Sequence, residues 1–354
     1  ELHNTTDHVI ELSGLSIAGG VAYTFAQGTF VPAGGYTVVA GVPSAFATRY
    51  PGVTAVGPFD GNLSNGGEEL LLIDALGTTI FQVGFDDEGF WPVAADGFGW
   101  SLVYENAQAD PTDGNSWRAS RDTNGSPGAA DPAPLVGGIV LNEILANSAA
   151  PLEDAIELHN PTASAVNVGG WYLSDNRANV AGLKKYRIPN GTMIAPGGFV
   201  VFYEFQFNAG ATSFALSSGG EAAYLSSADA GGNLTGYIVE LAFGATSEGD
   251  SIGRHVTSQG PHITLLDHHT FGVSNPATVA EFRTGAGAVN APPRISPVVI
   301  NELMYAPAGD GDPFVELRNR SGASVSLYNA AAARGWALHG VSNQAATGDF
   351  EFPA

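Results

Sequence analysis

Residues 139–175 read IVLNEILANSAAPLEDAIELHNPTASAVNVGGWYLSD. Two short apolar runs and a third, each of strand length, are separated here by polar turns. Pieces of the stretch return elsewhere. Val299-Ile300-Asn301-Glu302-Leu303 repeats Val140-Leu141-Asn142-Glu143-Ile144, and Val315-Glu316-Leu317-Arg318-Asn319 repeats Ile156-Glu157-Leu158-His159-Asn160. The chain opens on Glu1-Leu2-His3-Asn4, a fragment of the same signature. Glu1, Glu157 and Glu316 are 156 and 159 residues apart, and Glu302 follows Glu143 by 159. A period that long is a whole domain, well beyond the about 20–50 residues of a solenoid unit. The spacing predicts a copy over 1–132 without its first strand and a complete copy over 133–280. A Gly/Ala/Pro linker over 281–297 and the N-terminal part of a third copy over 298–354 follow.

Composition narrows the class. With 47 glycines and 21 prolines among 354 residues, and few helical runs of Leu, Lys and Glu, the chain reads as many short strands joined by turns: all-β. Continuous apolar runs such as Leu70-Leu71-Leu72-Ile73 suit central strands covered on both faces. Ala45–Tyr50 fits one or two helical turns. The formal charge of −22 repels phosphate backbones, so nucleic acid is not an expected partner. No cysteine is present for disulfides or thiolate metal sites, and no apolar run of about 18 residues offers a membrane span. Within the linker over 281–297, Thr284–Pro297 is expected to be exposed and extended.

Larger blocks repeat as well. Pro196-Gly197-Gly198-Phe199 matches Pro32-Ala33-Gly34-Gly35-Tyr36 as a turn that launches an apolar strand, and Leu216-Ser217-Ser218-Gly219-Gly220-Glu221 matches Leu63-Ser64-Asn65-Gly66-Gly67-Glu68. The order Asn142-Glu143, then Ile156-Glu157-Leu158-His159-Asn160-Pro161, then Gly169-Gly170-Trp171-Tyr172-Leu173-Ser174-Asp175, then Ala195-Pro196-Gly197-Gly198-Phe199 resembles the lamin-tail domain. The likeness is to the form found in large secreted or surface bacterial proteins. In the first copy, Trp91-Pro92, Asn115-Ser116-Trp117-Arg118 and Gly125-Ser126-Pro127-Gly128 are similar to the closing half of such members. The second copy departs after Asp250, where Trp-Pro is absent and histidines cluster. The resemblance implies tandem immunoglobulin-like β-sandwiches, mainly antiparallel, with an extracellular or cell-surface location in a bacterium. The positions that match its pattern are Asn142, Glu143, Glu157, Asn160, Trp171, Gly197, Gly198, Asn301, Glu302, Glu316, Asn319 and Trp336. Trp171 is expected to be buried where Leu15 and Trp336 stand in the other copies.

None of the candidate reactive groups forms a catalytic set. Gly249-Asp250-Ser251-Ile252-Gly253 fits the nucleophile-elbow pattern, but neither flank reads as the helix that motif requires. His255, His262, His268 and His269 lie near Asp267 without the spacing of a zinc site. Asp86-Asp87-Glu88 and the pair Asp310 and Asp312 are the acidic loops in which calcium would be sought, though the twelve-residue loop grammar is missing. A solvated loop is the preferred reading of both, and no cofactor is expected. The paired Glu143/Glu157 and Glu302/Glu316 are read as structural, tying strand ends to backbone N–H groups. The function expected is therefore non-catalytic: spacer, adhesion or interaction modules of a larger exported bacterial protein. Their partners would be other domains of that protein, surface proteins or glycans. The alternatives are an accessory region of an extracellular nuclease or phosphatase, or a carbohydrate- or peptide-binding face. Open strand edges at the broken first and third copies predict self-association.

Overall fold

Alternation along Ala155–His159 and, stepped by one residue at Asn142, along Val140–Leu145 places Leu141, Ile144, Ile156 and Leu158 on one face, and the core forms against that face. The structure is a computed structural model and describes residues 1–106, 108–258, 260–309, 311–330, 333–338 and 350–353. Further strands join this pair on either side. The first sheet runs Phe199–Tyr203, Ala155–His159, Val140–Leu145, Ser251–Thr257, Gly260–Leu265, antiparallel throughout. A second sheet, Tyr186–Arg187, Tyr172–Ser174, Gly220–Ala228, Leu234–Gly244, packs over it and supplies Leu173, Ala223, Leu225 and Leu241 to the shared core. Trp171, 2% exposed, lies within that core. Two facing antiparallel sheets around one apolar layer make a β-sandwich of immunoglobulin-like architecture.

The turns that launch these strands follow from their residues. Pro196 holds the φ that the second position of a tight turn needs. Gly197 takes φ +66, and Gly198 N–H donates to the Ala195 carbonyl at 2.9 Å. The turn is then stitched to the first sheet by Asn160, whose Nδ2 donates to the carbonyls of Ser164, Ile194 and Ala195 while its Oδ1 accepts from Thr162. Asn4 makes the same set of bonds, to the carbonyls of His8, Val31 and Pro32 and from Thr6. Asn319 donates to Ala323 and accepts from Ser321. One local architecture thus recurs at three places.

The chain divides into two compact units, Glu1–Pro293 and Arg294–Ala354. In the first unit, residues 1–132 carry a sheet of order Thr79–Phe85, Glu68–Ile73, Ser16–Gly19, Val21–Thr24, Asp60–Gly61. Beside it, Leu2–His3 pairs with Tyr36–Val39, which pairs in parallel with Ala55–Val56. Leu12, Phe25 and Val31 are the buried centre here. Pro43–Arg49 forms a short helix, with proline in its first turn. Leu70–Ile73 is central in its sheet, yet each of its residues is only half-buried. This differs from the coverage on both faces that its apolar run predicts. Of the four, Leu72 packs against the Leu12, Phe25 and Val31 cluster.

Much of the segment expected as an exposed linker does face solvent, Val289 and Ile295 with it, but Ala291 is buried and Ala288 and Asn290 bond to the first sheet. After Gly260–Leu265 the chain crosses the outer face of the first sheet, turns through Val279–Phe282, and returns to Pro293, which bridges to Leu266. Phe271, Phe282 and Ala291 are buried beneath this strap, the two phenylalanines against Leu145, Ala155 and Tyr203. Small residues fill it because it runs close over the sheet: a Cβ at Gly287 would stand 2.1 Å from Glu157 Oε2 and 2.7 Å from Phe199 Cβ.

In the second unit, Val298–Met304 pairs with Phe314–Asn319, with a register shift at Asn301 like the one at Asn142. Trp336 is 40% exposed, unlike Trp171, and the described strands near it are two-residue pairs. Asp310 lies outside the described residues.

Candidate functional site

The outer face of the first sheet carries an unusual burden for a sheet interior, because a β-bulge turns polar residues onto it. Leu141 pairs with Leu158 and Glu143 with Glu157, so Asn142 is the extra residue. Asn142 and Glu143 both come to face Glu157. Asn142 Nδ2 donates to Glu157 Oε1 and to Asn290 Oδ1, each at 2.6 Å. Glu157 Oε2 also accepts the Ala288 N–H at 3.2 Å. Glu143 Oε1 accepts from Ser251 Oγ at 2.5 Å, and its carboxylate also accepts the N–H and hydroxyl of Thr270. Asn290 Nδ2 closes the network on the carbonyls of Asn142 and Arg254.

Both carboxylates have 0% exposure. Burial pushes Glu143 upward against the donors Ser251 and Thr270. Burial, aided by the charge of Glu143, pushes Glu157 up to about 8, with Asn142 and Ala288 opposing. A charge without water is costly, so the buried site favours the neutral form of Glu157. Neither group can reach a substrate, and the donors that face them are already used. The pair therefore fastens the strap to the sheet. Ser251, the centre of the nucleophile-elbow pattern, is fully buried at the start of an antiparallel strand and donates to Glu143. Gly253 of the same pattern leaves room for the strap: a Cβ there would meet Asn290 Nδ2 at 2.7 Å.

A second concentration of contacts lies where residues 86–120 meet the outer face of the second sheet. Val93 and Ala94 are buried with Leu183, Tyr224 and Ile238, and Phe98 and Trp100 pack beside them. Gly236 sits in a bulge of Leu234–Gly244 at φ +84, and a Cβ there would stand 2.4 Å from Trp100 Nε1. Arg177 completes the seam. Its Nη1 donates to the Asp87 carbonyl at 2.9 Å, and its guanidinium stands 3.7 Å from the carboxylates of Asp87, Asp96 and Glu240. Burial raises Glu240, and Arg177 opposes the rise.

The sequence-level candidates are spread apart. Asp86 accepts the N–H groups of Asp87 and Glu88, Glu88 is exposed, and Asp87 belongs to Arg177. Asp312 is exposed. His255 and His262 are cross-strand partners, His268 sits by Asp267 in solvent, and His269 stacks on Phe271. Among the described residues no group of three or more His, Asp or Glu is arranged for a metal ion. Glu316 accepts from Asn301 opposite Glu302 in the second unit, where all three are solvent-facing. Sequence reasoning did not find Arg177, Asn290, Thr270 or Gly236, whose partners are remote in the chain.

Residues 132–252 match the model of the Lamin Tail Domain family. That part of the chain is thus a lamin tail domain, an immunoglobulin-like module of a generally non-catalytic kind. No curated protein and no solved structure gives a significant match.

Proposed function

We propose that the chain is a run of lamin-tail-type modules serving as a non-catalytic spacer and interaction region of a larger exported bacterial protein. The observation that carries this reading is the seam: residues 86–101 leave the first half and pack on the second sheet of the next, making the two halves one compact unit. Apolar burial by Val93, Ala94 and Trp100, with Arg177 holding three carboxylates, resists bending between neighbours. The matching turns at Asn4, Asn160 and Asn319 support a tandem arrangement. Between Gly244 and Ser251 the second half has six residues where the first has sixteen between Phe85 and Leu102, so the docking loop belongs to the first half.

The absence of cysteine makes a spin-label test clean. Labels on Gln27→Cys and Ala209→Cys, both exposed sites, report the distance between halves by double electron–electron resonance. A single narrow distribution that broadens on Trp100→Ala is the expected result. A broad distribution in the otherwise unaltered chain would refute a stiff spacer.

A further inference from the structure

Glu143 and Glu157 stand directly opposite each other on adjacent strands, fully buried, with no ion pair to either among the described residues. Like charges directly opposite in a sheet are destabilising even in water, and burial magnifies the cost. The surroundings offer little relief. Phe199–Tyr203 contributes Tyr203, pushed up to about 12 by burial and by Glu153 and Glu157. Ser251–Thr257 contributes Arg254, whose Nε is spent on the Leu141 carbonyl, and His255. The strand of Glu157 itself adds His159 and, just before it, Glu153 and Asp154. The strap brings His268 and His269, plus Arg283, which forks onto Glu153 and lies 3.9 Å over the Phe205 ring.

We propose that the pair is a proton-operated latch: while Glu143 and Glu157 share one proton, the strap over 266–293 stays closed on the first sheet, and loss of that proton to solvent opens its 284–291 arm. The two arms differ in their hold. Residues 266–283 are anchored by Phe271, Phe282 and the Arg283–Glu153 fork. The returning arm is held by the Ala288 N–H on Glu157, by Asn290, whose Oδ1 accepts from the same Asn142 amide that donates to Glu157, by the Tyr203 hydroxyl, which donates to the Gly285 carbonyl at 3.3 Å, and by buried Ala291, so that one of its bonds ends on a carboxylate itself and another on that carboxylate's partner. Lifting that arm admits water to Glu157 and relieves the double charge. In the first half, Glu1 likewise accepts the N–H of Gly128 from a returning segment, so tying the closing segment to this glutamate position is not confined to one copy.

Hydrogen exchange of the full chain, read by mass spectrometry and converted to protection factors, tests the latch between about pH 6 and about pH 9.5. Protection over 284–291 should fall by about tenfold or more at the higher pH, the factor one pH unit above a titration gives for one proton. Protection over Val140–Leu145 should hold. Glu157→Gln should abolish the fall. The inference is overturned by unchanged protection over 284–291, by a loss spread equally over the sandwich, or by the same fall in Glu157→Gln. The first two outcomes are read on the unsubstituted chain, so the test stands even if the variant fails to fold.

Discussion

Gly236 and Trp100 form a contact whose energy can be isolated by a double-mutant cycle. Gly236→Ala places a methyl group where Trp100 Nε1 lies 2.4 Å and Cδ1 2.8 Å away, closer than carbon tolerates. The backbone at φ +84 adds strain of about 1–2 kcal/mol for a residue with a Cβ. Overpacking against the indole adds about 1–3 kcal/mol. The single substitution should then cost about 2–5 kcal/mol of unfolding free energy, measured by urea titration with circular dichroism. Trp100→Ala removes the obstacle and forfeits no hydrogen bond, because Trp100 Nε1 has no partner among the described residues. In that background, Gly236→Ala should retain only the backbone strain, giving a coupling energy of about 1–3 kcal/mol. Additivity within about 0.5 kcal/mol would mean that the indole does not rest on Gly236, and the seam would lose its central contact.

Trp171→Ala should cost about 3–5 kcal/mol in the same assay, as truncation of a buried large aromatic does, and a loss below about 1 kcal/mol would contradict its place in the core. Stability should decline as pH rises from about 4.5 to about 8. In the unfolded chain Glu157 loses its proton near its ordinary value of 4.5, while the folded chain keeps it to about 8. Asp154, raised by burial to about 6, adds to the decline at the lower end of that window. A melting temperature that climbs from pH 5 to 8, or a slope untouched by Glu157→Gln, would refute the assignment. Because Arg177 already engages Asp87, millimolar calcium should leave the melting temperature unchanged, and a rise of several degrees reversed by a chelator would make the acidic loops a calcium site.

The all-β class was legible because it rests on local signals. Glycine and proline punctuate at strand length, and Pro196-Gly197 writes its own turn. The recurring Asn-Glu and Glu-Leu-x-Asn segments could be read as one architecture because part of each Asn's bonding is local, to the carbonyl four residues on and from the N–H two residues on, and so recurs with the segment. Even the pairing of Glu143 with Glu157 could be suspected from their recurrence. What covers them could not. Ala288 and Asn290 reach their partners across 131 and 148 residues, and Gly/Ala/Pro composition reads the same in a free linker as in a strap pressed against a sheet. The seam is equally non-local, since Asp87 and Arg177 are 90 residues apart. Sequence alone determined which stretches are strand and which are turn, because apolar runs of strand length and Gly/Pro punctuation are local properties of the chain. Only tertiary structure decided which face each covers and which carboxylates lose their water, because burial is set by whatever remote segment the fold lays on top.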